Sequence, residues 1–396
     1  MNATDETGGP IRLMVCAGEV SGDLYAAALV RELRKICAPR PVEVFGIGGD
    51  ALAAEGASLR AHVSRTGVIG LWEVAKRARF FSALLRDLRG DLAARRPDAL
   101  LTVDYPGLNL RLARSAKELG VTAVHWVCPQ VWAWHRGRIP KIAAALDCLV
   151  ALFPFEPALF EGTGLDVRFA GHPLIDQLAE FSRAPREPLP WGEGVKVALF
   201  AGSRTSEVRR LLPRVLAGAA LARKRLGRCS FVLPAPDAFR AAEIGAGIAA
   251  AGFGQDAFRV VEGRSRQVLA EADLAIVKSG TSTLEAALLG CPHTIIYRVS
   301  TPSYMVLKRL VTGVSHIGLP NIVAGRTVCT ELIQDAVTPE RICEEIVSLA
   351  SDKARRERAL AAFGEIRRAL GGEGATGRTA RIVAEALSGK PAGEGK

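Results

Sequence analysis

A chain of 396 residues is too long for one ordinary hydrophobic core, so two domains of similar size are expected. Its composition is that of a globular protein, 49% hydrophobic and 23% charged, and no run of roughly 18 uncharged apolar residues offers a membrane-spanning helix. The net charge of +11 favours a polyanionic partner: nucleic acid, an anionic membrane surface or a phosphorylated substrate.

The opening MNATDETGGP is polar and acidic. It lacks the basic start and apolar core of a signal peptide, so residues 1–10 read as a disordered tail on a cytosolic protein. A first domain, 11–185, then alternates short apolar runs with amphipathic stretches, the pattern of a parallel sheet wound with helices. IRLMVCA (11–17), VEVFGI (42–47), ALLTVDYP (99–106), TAVHWVC (122–128), CLVALF (148–153) and VRFAGHP (167–173) read as buried strands. Helices are expected over 24–37, 73–95 and 109–119. A proline- and glycine-rich end to the stretch from about 174 to 193 marks the linker.

The pattern restarts in a second domain, 194–388. VKVALFA (195–201), CSFVLPA (229–235), FRVVEG (258–263), LAIVKSG (274–280) and TIIYRV (294–299) read as its strands, with helices dominating from about 327 to 388. Residues 389–396 read as a second disordered tail. The expected architecture is α/β: two doubly wound, Rossmann-like domains facing each other across a cleft, with ligands beyond the carboxyl ends of the strands. The eight cysteines are scattered, without a C-x-x-C pair or a Cys/His clip, which argues against disulfides and structural zinc.

Four strand-to-helix turns could carry chemistry. In CAGEVSGDLYAAAL, Gly18, Ser21 and Gly22 allow close backbone approach before a helix start that favours anions. Glu19 and Asp23 are acids at that edge, with helix capping as the competing role for Asp23. In VDYPGLN, Asp104 ends a strand and Asn109 begins a helix, an arrangement that a plain turn with an Asn cap explains equally well. In FAGSRTSEV, Gly202, Ser203 and Arg204 form a natural diphosphate cradle, a solvated arginine being the alternative. In VKSGTSTLEAALLGCP, Ser279, Gly280 and Thr281 offer donors to phosphate, and Glu285 follows one turn later on the same face, placed to accept from a ribose diol.

Two further stretches combine apolar and basic residues. VHWVCPQVWAWHRGRIPK (124–141) holds Trp126, Trp132 and Trp134 followed by Arg136, Arg138 and Lys141. Trp126 reads as core; Trp132 and Trp134 share one face if extended and read as support for a site rather than as its contacts. In the segment 68–79, Val68, Ile69, Leu71 and Trp72 lie beside Lys76 and Arg77, which suits an interfacial patch. Residues 81–92 read as an ordinary amphipathic helix.

Together with LFPFE, FAGHPLID and YRVSTPSYMVLKRL…GLPNIVAGR, these motifs resemble, in order and spacing over all but the tails, the lipid-A-disaccharide synthases, bacterial glycosyltransferases of the GT-B fold. The resemblance implies an inverting transfer that joins UDP-2,3-diacylglucosamine to 2,3-diacylglucosamine 1-phosphate and releases UDP. It implies no cofactor and no metal, and a peripheral position on the cytoplasmic face of the inner membrane, with room for a homodimer. It places the donor on Gly202, Ser203, Arg204, Ser279, Gly280, Thr281, Glu285 and Asn321. Gly18, Ser21, Asp23, Asn109 and Gln130 fall on the acceptor side, with Glu19 or Asp104 as the catalytic acid. One departure bears on the base: many relatives carry an acid after the proline of DYPGLN, where this chain has Gly107.

Two other readings share parts of this evidence. A UDP-N-acetylglucosamine epimerase or a transferase with a soluble acceptor would have the same nucleotide turns but no use for an interfacial patch. A nucleic-acid binder would explain the charge, yet it needs aromatic-interleaved basic stripes, and the basic residues here are spread over helices.

Overall fold

The computed structural model describes residues 9–66, 78–254, 257–310 and 313–388. The chain divides into two units: residues up to Asp176 with those from Leu370 onward, and Gln177–Ala369.

The first unit is built on a seven-stranded sheet of order β3-β2-β1-β4-β5-β6-β7. Its strands are β1 (Ile11–Ala17), β2 (Val42–Gly48), β3 (Ser58–His62), β4 (Ala99–Val103), β5 (Thr122–Trp126), β6 (Cys148–Ala151) and β7 (Asp166–Phe169). Every pairing is parallel. Central strands are apolar on both faces because helices cover both. Leu13, Val15, Leu101, Val103 and Trp126 pack with Ala26, Leu29 and Leu33 of the helix Val20–Cys37. On the other face Met14, Cys16 and Leu100 meet Leu84, Leu88 and Leu92, one stripe of the helix Ala78–Arg95.

The second unit repeats the plan with six parallel strands in the order β10-β9-β8-β11-β12-β13. They are β8 (Val195–Phe200), β9 (Cys229–Ala235), β10 (Phe258–Glu262), β11 (Leu274–Lys278), β12 (His293–Tyr297) and β13 (Glu331–Ile333). Val197, Leu199, Phe231 and Ile276 pack with Leu211, Val215 and Leu216 of the long helix Thr205–Leu226.

The structure differs from the sequence reading in four places. The edge strands β3 (SLRAH) and β13 (ELI) are short and partly polar, so they carry no apolar run. The run 99–106 stops as a strand at Val103, because Asp104 and Tyr105 both turn left-handed with φ of 51°. The chain also does not stay in the second unit from 194 to 388. Ala380 and Val383 of the helix Ala375–Leu387 join the core of the first unit against the helix Val20–Cys37. Asp176 fixes this return by accepting from the backbone N–H groups of Gly374 (2.6 Å) and Thr376 (2.9 Å). Nor is 174–193 all linker: it begins with the helix Leu174–Arg183, inside which the division falls. The interfacial patch (Val68, Ile69, Leu71, Trp72, Lys76, Arg77) and both tail segments 1–8 and 389–396 lie outside the described residues.

Candidate active site

Strand order reverses beside β1 and β4 in the first sheet and beside β8 and β11 in the second. At such a reversal, helices leave on opposite faces and the turns at the carboxyl ends splay apart, opening a crevice. All four motif-bearing turns lie at these two places.

In the first unit the turns after β1 and β4 interlock. A Cβ on Gly18 would come within 2.4 Å of the Tyr105 ring, so glycine there admits the aromatic side chain rather than a ligand. Asn109 is buried, and its amide donates to the carbonyls of Cys16 (3.1 Å) and Asp104 (2.7 Å). That corrects its expected acceptor-side role: it ties the two strand ends together. Asp23 is corrected likewise. It is 4% exposed, and its carboxylate accepts from the backbone of Gly49 (2.6 Å), Ala51 (3.1 Å) and Leu52 (3.2 Å). It caps the short helix Asp50–Ala54 on the neighbouring turn, a role that spacing along the sequence could not show. Ser21 is exposed.

Two acids remain at this end. Glu19 sits half-exposed at the N-cap of the helix Val20–Cys37 with extended backbone. Its charge, after burial, pushes the Tyr105 phenol upward. Asp104 is half-buried, and burial raises its carboxyl above the usual range against a hydrogen bond from the Tyr105 backbone. It lines a pocket of about 210 Å³ with Gln130, Trp134, Arg138 and Glu156. Gly107, in the first turn of the helix Pro106–Glu118, is exposed with open space where a side chain would go.

The crowded tryptophans separate in space. Trp126 is fully buried in the core beside Tyr25. Trp132 is buried and donates its indole N–H to Glu156 at 3.0 Å, whereas Trp134 is 41% exposed at the pocket. Residues 131–134 form turns rather than a strand, so the two indoles do not share a face. Glu156, of the LFPFE motif, escaped the sequence reading as a residue. It is 1% exposed and also accepts from the backbone N–H of Leu152 (2.8 Å) and Phe153 (2.9 Å). Burial pushes its carboxyl up to about 7 despite these bonds. A lone acid after an apolar run was the available signal.

A larger cavity, about 850 Å³, opens at the amino ends of β5, β6 and β7. Its Arg168 is already paired with Asp166 and Glu385, and it lies at the end of the sheet where this fold does not place ligands.

The second unit gathers charge differently. The helix Thr205–Leu226 starts after Gly202, Ser203 and Arg204. Gly202 has φ of +114°, and a Cβ there would lie 2.5 Å from the Glu207 side chain. Glu207 is the hub. It accepts from the backbone N–H groups of Ser203 (3.1 Å) and Arg204 (3.4 Å), and from the Arg204 guanidinium at 3.4 Å. Lys278, at the end of β11, reaches the same carboxylate at 2.7 Å and thereby joins the two turns. The hydrogen bond and charge of Lys278 help hold the Glu207 carboxyl below its usual range, although burial, the largest effect, opposes them. Neither Glu207 nor Lys278 was singled out from the sequence, although both lie inside the quoted motifs.

Beyond Lys278, Gly280 and Thr281 are exposed at the start of the helix Thr281–Leu288. The Ser279 hydroxyl donates to the Ile317 carbonyl at 2.9 Å, binding the next loop to the turn. Glu285 is paired with Arg266 at 2.9 Å on the same helix face. Asn321 is a correction. It is fully buried; its amide donates to Cys329 and Glu331, both at 2.8 Å, and its carbonyl accepts from Val328 (2.7 Å) and Cys329 (2.8 Å). Its bonding capacity is taken up inside the loop, which it holds together.

Two units, each a parallel sheet wound with helices, define the GT-B fold class. Solved structures support the fold. A UDP-GlcNAc 2-epimerase from Neisseria meningitidis superimposes with a TM-score of 0.61 at 13% identity, covering 96% of this chain and 100% of that one. Acinetobacter baumannii MurG gives 0.57 at 13% identity, covering 95% and 99%. Sequence comparison is more specific. The lipid-A-disaccharide synthetase family model matches residues 13–381. Relatives named lipid-A-disaccharide synthase include those of Syntrophus aciditrophicus, 38% identical over 93% of this chain and 96% of that protein, and Myxococcus xanthus, 39% identical over 96% and 98%. The chain belongs to the lipid-A-disaccharide synthetase family, and so to the glycosyltransferases of lipid A synthesis.

Proposed function

We propose that the chain transfers a 2,3-diacylglucosaminyl group from its UDP-linked donor to the 6-hydroxyl of 2,3-diacylglucosamine 1-phosphate, with inversion and release of UDP. The observation that carries this assignment is the complementary chemistry of the two strand-order reversals. One presents Arg204 and Lys278 around Glu207, the other a pocket containing the half-buried Asp104.

The donor nucleotide lies on the second unit. Gly202, Ser203, Arg204, Ser279, Gly280 and Thr281 surround its diphosphate, and Glu285 accepts from the ribose. As the glycosidic bond to UDP breaks, negative charge grows on the diphosphate. Arg204, Lys278 and the starts of two helices face that charge without having to rearrange. The acceptor lies on the first unit. Asp104 takes the proton of the attacking hydroxyl as the new bond forms, with Glu19 as the rival base. A carboxylate whose pKa is raised by burial is the stronger proton acceptor once ionised.

The test supplies both lipid substrates in mixed micelles and follows UDP release and the mass of the product. A disaccharide 1-phosphate is the expected result; conversion of UDP-N-acetylglucosamine to an epimer with no disaccharide would overturn the assignment. Acylated substrates also call for contact with the inner membrane, which we assign to the apolar and basic segment 68–77. Replacing Ile69, Leu71 and Trp72 by serine should abolish flotation with anionic vesicles and leave the melting temperature nearly unchanged. A large fall in melting temperature would instead make these residues core.

A further inference from the structure

We propose that Arg138, with Trp134 beside it, is an anion subsite of the first-unit pocket and reads the phosphate of the acceptor sugar. This rests on the assignment of the acceptor to that unit and adds a residue and a recognition rule to it.

Four observations converge. First, Arg138 is half-buried at the pocket yet makes no ion pair among the described residues. A half-buried guanidinium without a carboxylate partner is suited to a ligand's anion, above all a phosphate that matches its planar fork. Second, the buried acid of this pocket does not compete for it. The carboxylate of Glu156 accepts from the Trp132 indole and from the backbone of Leu152 and Phe153.

Third, the volume suits a head group. About 210 Å³ is below the roughly 300–1,000 Å³ of pockets that enclose a drug-sized ligand, so a diacylated sugar could place only its polar part here. Asp104 would then meet a hydroxyl and Arg138 the anion, with the exposed indole of Trp134 as a wall for the apolar face of the ring. Fourth, the backbone around this pocket is held in an unusual state. Asp104, Tyr105, Val127 and His135 all have φ between 51° and 79°. Elsewhere among the described non-glycine residues only Arg96 and Gln334 have a positive φ. For the β-branched Val127 this conformation is costly, and such strain gathers where a site must be held in one shape.

The experiment compares two acceptors, 2,3-diacylglucosamine 1-phosphate and the same sugar without its phosphate, in wild type, Arg138→Gln and Arg138→Lys. Wild type should prefer the phosphorylated acceptor. Arg138→Gln should lose that preference through a KM increase on the order of 10–100-fold for the phosphorylated acceptor alone, with kcat nearly kept. Arg138→Lys should recover part of it. A folded Arg138→Gln that keeps the full preference overturns the subsite, as does a wild type that treats both acceptors alike; in either case the acceptor assignment survives. A wild type that uses neither acceptor overturns both. Direct binding gives a second readout: glucosamine 1-phosphate should bind the wild-type protein more tightly than it binds Arg138→Gln, and equal binding would count against Arg138.

Discussion

At the carboxyl ends of β8 and β11, Glu207 ties Arg204 and Lys278 into one cluster. Around the pocket of the first unit, Asp104 and Arg138 make no ion pair among the described residues, and the backbone carrying Asp104 is left-handed. The two places are equivalent in topology, and the contrast fits the two tasks proposed for them. A diphosphate is anionic from the start and gains charge as it leaves, and a pre-arranged cationic surface serves it. A base must gain a proton, and a cation beside it would depress its pKa and weaken it. Burial without a partner does the reverse, as Asp104 shows.

The contrast breaks most sharply at Asp104. Asp104→Asn keeps the size and most hydrogen bonds but removes the proposed base, so kcat should fall on the order of 10²–10⁴-fold with UDP affinity kept. Glu19→Gln is the matched control. Near-normal turnover in Asp104→Asn, alongside a collapse in Glu19→Gln, would transfer the role to Glu19.

Glu285→Ala tests the other unit. Loss of a charged acceptor for the ribose diol is worth about 1.5–3 kcal/mol, so UDP should bind on the order of 10–100-fold more weakly, measured by calorimetry. Arg266 loses its partner in the same variant, so the fold must be checked by melting. Unchanged affinity in a folded variant removes Glu285 from the site.

Titration of stability sharpens the comparison in a different way. Burial lowers His125 and His172 in the first unit, and His293 in the second, to about 4 from an ordinary 6.5. As pH falls below 6.5 the unfolded chain takes up protons that the folded chain refuses until about 4. Each histidine therefore costs about 1.4 kcal/mol of stability per pH unit within that window. Glu156 runs the opposite way. Its carboxyl, raised to about 7, supports the fold at low pH and loses that support as pH rises from 4.5 through 7. Denaturant unfolding should accordingly show acid weakening below pH 6.5 in both units, made shallower in the first by Glu156, and a decline between pH 6.5 and 7 that Glu156→Gln removes from the first. A decline that persists in Glu156→Gln would show that this carboxyl is not its source.

The smallest effect belongs to Gly107→Asp. Open space and a place in the first helical turn predict a gain of about 0.3–1 kcal/mol from the helix dipole. Turnover that rises in this variant, or that is restored when it is combined with Asp104→Asn, would show that the base can act from either position.

Much of this molecule was legible from the chain alone. Apolar runs bounded by turns located the central strands, because a strand buried on both faces has no polar position to hide it. Gly202 and Arg204 stood out because a small residue and a cation beyond a strand end suit an anion, and Glu285 because it lies one helical turn after Thr281. What the sequence could not decide was which partners the polar side chains would find. Asp23, Asn109 and Asn321 had the right type for a ligand, yet each is taken up by backbone groups brought near by folding, 26 residues away in the case of Gly49. Glu207 and Lys278 are far apart along the chain and meet only because β8 and β11 are neighbours. The same holds for the helix Ala375–Leu387. Its apolar stripe can be read in its periodicity, but only the tertiary structure shows that this stripe completes the first unit's core. Local sequence sets conformation and amphipathicity. Which surfaces and charges are joined depends on contacts between distant segments, and those were decided by the packing of the whole chain.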